Sequence, residues 1–83
     1  MDNYLIVARS VTQAQQMESV LRREGIFGTV RRAPSAVSER GCGYTVTVRA
    51  GQLALALQVL RNAGIFVTRV VTDGAYGYRE VRI

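Results

Sequence analysis

Val20-Leu21-Arg22-Arg23-Glu24-Gly25-Ile26-Phe27 and Val59-Leu60-Arg61-Asn62-Ala63-Gly64-Ile65-Phe66 are two versions of one phrase: an apolar pair, a polar stretch and a Gly-Ile-Phe exit. A glycine closing a stretch of helical spacing is a left-handed stop, so each copy reads as a helix end turning into a strand. Before the first copy, Ala14, Met17, Val20 and Leu21 recur at helical spacing behind a Thr12/Gln15 capping box, which predicts a helix over 13–24. Before the second, residues 52–57 alternate as a strand would. Their Ala and Leu content, their length and the repeat favour helix.

Around these helices the apolar runs place the strands. Tyr4-Leu5-Ile6-Val7-Ala8 is a continuous run suited to a central strand, and 26–32, 44–48 and 65–71 follow as the second, third and fourth. Gly28 marks a bulge or an edge position. Two strand-helix-strand copies predict an α+β ferredoxin-like βαββαβ sandwich, with a four-stranded antiparallel sheet and two helices on one face. One domain spans 1–83, with its core over about 4–71 and a tail over 72–83. The tail opens on an Asp73-Gly74 turn signal, so it either folds back as an extra C-terminal strand or extends onto a neighbouring subunit. In the second case Tyr76 and Tyr78 meet apolar surface there. On the second helix Leu53, Ala56, Leu57 and Leu60 form one stripe and Leu55 and Val59 another, which serves either a partner subunit or cover from the chain itself.

Composition narrows the function classes. A chain of 83 residues buries only roughly 60% of its unfolded surface, so help from a second subunit, a homo-oligomer, is expected. At 48% hydrophobic residues with no low-complexity run it folds rather than staying disordered. No apolar run reaches a membrane span and no secretory signal follows Met1, which points to the cytoplasm. All eleven basic residues are Arg, giving a net charge of +5. They lie along the whole chain and read as a solvated surface, although Arg31, Arg32 and Arg40 bracket one loop and make it electropositive. A single Cys and no His exclude a disulfide framework and a Cys/His zinc site within one chain, and no cofactor is implied.

That loop holds Arg40-Gly41-Cys42-Gly43-Tyr44. A thiol is nucleophilic as thiolate, a form favoured by nearby cations and oriented backbone N–H groups and disfavoured by apolar burial. Arg40 lies two residues away, and Gly41 and Gly43 allow unusual backbone angles and an uncrowded approach to sulfur. The same sequence suits an inert packing cysteine, since free Cys is among the most buried residue types. The residues alone leave both readings open.

The order Tyr-Leu-Ile-Val, a helix ending in Gly-Ile, a loop with Pro34 and Ser38, Gly41-Cys42-Gly43 opening a strand, and a Leu-rich helix ending in Ala63-Gly64-Ile65 resembles the family of small selenium/sulfur carrier-like proteins. The resemblance covers about residues 4–71, and Cys42-Gly43 is its most specific part. It implies a carrier, not an enzyme, that holds sulfur or selenium on Cys42 as a persulfide or selenosulfide between donor and acceptor proteins. Arg40 and the glycines would support the anion. Glu39 and Arg40 stand where the family has small serines, and Arg49-Ala50-Gly51 where it has an acidic helix cap; the second change weakens the helix start.

Two other classes compete. Residues 40–47 superficially match an RNA-recognition pattern, but alternation puts its stacking positions on the side of Val46 and Val48, so that Thr45 and Thr47 would have to fill the core, whereas the apolar set turns Tyr44, Val46 and Val48 toward the helices; Cys42 also stands in place of the first stacking aromatic. Nucleic acid is therefore an unfavoured partner. A regulatory or scaffold module that dimerises and binds a partner or metabolite rests on fold analogy.

Overall fold

The computed structural model describes residues 3–34, 37, 43–74 and 77–81. Strand β1 (Asn3–Ala8) leads into helix α1 (Val11–Arg23), β2 (Thr29–Arg32), β3 (Tyr44–Arg49), a short 3-10 turn (Ala50–Gln52), α2 (Leu53–Asn62), β4 (Val70–Gly74) and β5 (Gly77–Val81). The strands form one antiparallel sheet in the order β2-β3-β1-β4-β5. The sheet has five strands and not four, because the tail folds back: Val70 pairs with Val81 and Thr72 with Arg79. No helix among the described residues is long and apolar enough to cross a membrane.

Strand alternation divides the molecule into two faces. Ile6, Ala8, Val46, Val48 and Val70 pack with Ala14, Met17 and Leu21 of α1 and with Ala56 and Leu60 of α2 in the main core. Tyr44 packs against the same cluster, as its parity predicts. The alternate residues Leu5 and Val71 lie on the other face in a smaller cluster closed by Val37. Thr45, on that second face, is also buried.

Both helices end alike. The Ile26 N–H donates to the Leu21 carbonyl at 3.0 Å and Gly25 N–H to Arg22 at 3.0 Å; Ile65 donates to Leu60 at 2.9 Å and Gly64 to Arg61 at 3.0 Å. These are paired Schellman exits, with Gly25 at φ +76° and Gly64 at φ +80°. Ile26 and Ile65 are buried, while Phe27 and Phe66 stand 78% and 86% exposed. The repeated phrase is thus repeated in hydrogen bonds and burial.

Several boundaries move. Helix α1 begins two residues before the expected start, because Ser10 and not Thr12 is the cap: its hydroxyl accepts from the Gln13 N–H at 3.1 Å while Gln13 Oε1 accepts from the Arg9 N–H at 2.8 Å. Ser10 and Gln13 satisfy the chain leaving β1, which Thr12 and Gln15 come too late to do. The second and fourth strands start later than expected, after irregular passages over 26–28 and 65–69 that follow the two exits. There the chain must cross from the helix layer to the sheet before pairing begins. Gly28 lies immediately before the edge strand β2, where a Cβ built on it would stand 2.5 Å from Val46 Cγ1. Helix α2 has no side-chain cap and is entered through the 3-10 turn, in keeping with Arg49-Ala50-Gly51.

Candidate functional site: the frame of the second connecting loop

The connection from β2 to β3 carries the expected site residues. Cys42, Arg40 and Gly41 lie outside the described residues, as does Tyr76; Gly43 and the frame of the loop are described. The Ala33 N–H donates to the Gly43 carbonyl at 3.0 Å, which continues the β2–β3 pairing one step and closes the loop at its base. Gly43 has φ +141°, a conformation that side-chain-bearing residues rarely adopt. Its nearest neighbours around a built Cβ are the Ala8 carbonyl at 3.7 Å and Ala33 Cβ at 3.8 Å, ordinary contacts. Glycine is therefore required here by backbone angle and not by crowding.

A second attachment lies within the loop. The Val37 N–H donates to the Pro34 carbonyl at 2.9 Å, a tight turn that sends the Val37 side chain onto Leu5 and Val71 with 2% of its surface exposed. Arg69, just before β4, donates through Nη1 to the Val37 carbonyl at 2.8 Å and through Nε to Glu80 Oε1 on β5 at 2.9 Å. Its Nη2 also meets Glu80. One guanidinium thus ties the loop, the approach to β4 and the folded-back tail together; its fork of fixed donors suits such a junction. The Arg69 carbonyl in turn accepts from the Val7 N–H at 3.1 Å, fixing the backbone that carries it.

The remaining expected positions are not gathered at this site. Leu55 on α2 is 51% exposed, whereas Val59 is partly buried against the main core. Tyr78 sits on the edge strand β5, 39% exposed. Sequence reasoning did not single out Val37, Arg69 or Glu80. Arg69 and Glu80 meet only because β4 and β5 pair, so the Asp73-Gly74 turn was the one available signal. Val37 gives none, as a lone valine in a polar loop has no periodicity.

The family model described as putative Se/S carrier protein-like matches residues 3–72. The chain belongs to this family. The match runs from the first residue of β1 into β4 and takes in the whole loop, while β5 and the Glu80 end of the Arg69 junction fall beyond it. Neither a curated protein nor a solved structure matches the chain.

Proposed function

We propose that this family member carries sulfur or selenium on Cys42, as a persulfide or selenosulfide, between a donor protein and an acceptor protein. The observation that carries the reading is the family match spanning the loop in which Cys42 is the chain's one thiol. The frame of that loop supports it: closure at Ala33 and Gly43, and attachment at Val37, hold both sides of the segment 38–42 to the sheet. A preorganised frame lowers the ordering cost of docking a partner. The strand order, in which each helix links two parallel strands separated by a third, supports a ferredoxin-like architecture with β5 added at the β4 edge.

In the transfer step the Cys42 thiolate attacks the outer sulfur of a donor persulfide; a new S–S bond forms on Cys42 as the donor's S–S bond breaks, and the donor leaves as thiolate. The number of electrons is conserved, so no oxidant is needed. Arg40, two residues away, and the N–H groups around Gly41 and Gly43 would stabilise the anion. The sequence has no His, no Lys and no second Cys to act as base or resolving thiol, which suits a carrier served by partner enzymes better than an independent catalyst. Leu55 and Tyr78 are apolar positions at which a second copy or a partner could dock.

Incubation with a cysteine desulfurase and cysteine, read by intact-protein mass spectrometry, tests the proposal. The expected result is a gain of one sulfur atom that dithiothreitol removes and that Cys42→Ser abolishes. An equal gain on Cys42→Ser, or none on the parent, would rule the carrier role out.

A further inference from the structure

The sheet face turned away from the helices carries a hollow of about 420 Å³ next to the loop base. Thr29, Thr45 and Thr47 line it together with Asn3 on β1 and Arg31 and Arg32 on the edge strand. Register sets Thr29 opposite Thr47 and Arg31 opposite Thr45, so the members of each pair share a face and stand close. Hydroxyls and the amide can donate, and guanidinium groups can only donate.

Among the residues whose side chains are described, those lining the hollow include no carboxylate, and neither Arg31 nor Arg32 is ion-paired with another of them; Asp73 on β4 stands opposite Asn3 and Tyr78, two lining residues, and so shares this face at its far end. Glu80, the acid on β5, is already engaged by Arg69. Leu5 and Pro34 add apolar wall, and the volume falls in the roughly 300–1,000 Å³ range of small-molecule sites. A concave surface whose described lining supplies hydrogen-bond donors and positive charge and no acid favours negative charge on oxygen.

We infer that this hollow binds a small molecule through an anionic oxygen group, a phosphate or a carboxylate, with Arg31 as counter-charge and Thr29, Thr45 and Thr47 as hydrogen-bond partners. The site uses no thiol. It stands apart from the carrier reading and is retained in Cys42→Ser, so the two ideas fail separately.

Amide chemical shifts followed by NMR during titration with inorganic phosphate, and separately with acetate, at constant ionic strength test the site in the Cys42→Ser protein. Saturable shifts at Thr29, Arg31, Thr45 and Thr47 are expected with at least one anion, and the better of the two names the head group. Arg31→Gln should bind about tenfold more weakly, and Arg22→Gln on α1 should bind as the parent does. If Arg31→Gln fails to fold, Thr47→Val, on a half-buried residue, makes the same comparison. Shifts that stay linear in concentration, that spread equally to the arginines of α1, or that are unchanged in the folded hollow variant would overturn the inference.

Discussion

At the scale of single residues, three glycine environments separate three physical demands. Gly43 is demanded by its φ of +141°, Gly25 and Gly64 by left-handed helix exits, and Gly28 by space alone, with Val46 Cγ1 2.5 Å from where its Cβ would be. Gly28→Ala should therefore destabilise by about 1–3 kcal/mol through overpacking. Val46 is fully buried and truncating it costs stability too, but the two losses should be less than additive in Gly28→Ala/Val46→Ala, because the deleted methyls leave room for the new one. Urea unfolding of the parent, both single variants and the double variant gives the coupling, and simple additivity would show that Val46 is not what Gly28 makes room for.

At the scale of elements, the two helix exits offer an internal comparison. Each uses a glycine near φ +80°, a six-residue hydrogen bond closed by a buried Ile, and a following exposed Phe. Gly25→Ala and Gly64→Ala each find open space for the new Cβ, so both should cost about 1–2 kcal/mol from backbone angle alone and by similar amounts. Thermal unfolding checks this, and a large inequality would mean that the copies only look alike. These exits are also what made the fold readable: a glycine stop followed by a buried Ile is local chemistry, and local chemistry is written in neighbouring letters. Strand starts were less legible because nothing local says how far the chain travels between layers before it pairs. The α1 cap was misplaced for a related reason, since Ser10-x-x-Gln13 and Thr12-x-x-Gln15 carry the same signal and only the geometry of the chain leaving β1 chooses between them. At the candidate site Gly43 was legible as an adaptable position, whereas the junction of Val37, Arg69 and Glu80 joins residues whose proximity exists only once the sheet is assembled.

At the scale of the whole molecule, that junction holds two peripheral pieces against one face. The pair of Arg69 with Glu80 has the acid 59% exposed, so Glu80→Gln should cost no more than about 1 kcal/mol. Arg69→Met also removes the donor to the Val37 carbonyl, which is part-buried, and should cost about 1–2 kcal/mol more than Glu80→Gln. Urea midpoints for the two variants give the comparison, and equal losses would mean that the bond to the loop contributes nothing. Because one guanidinium serves both the loop around Val37 and strand β5, the two are thermodynamically linked. Anything that draws Glu80 away alters what holds the loop, and by reciprocity anything that lifts Val37 from Leu5 and Val71 changes how firmly the tail is kept. The chain's last strand, lying outside the family's matched region, is therefore coupled to the loop between β2 and β3, which lies inside it.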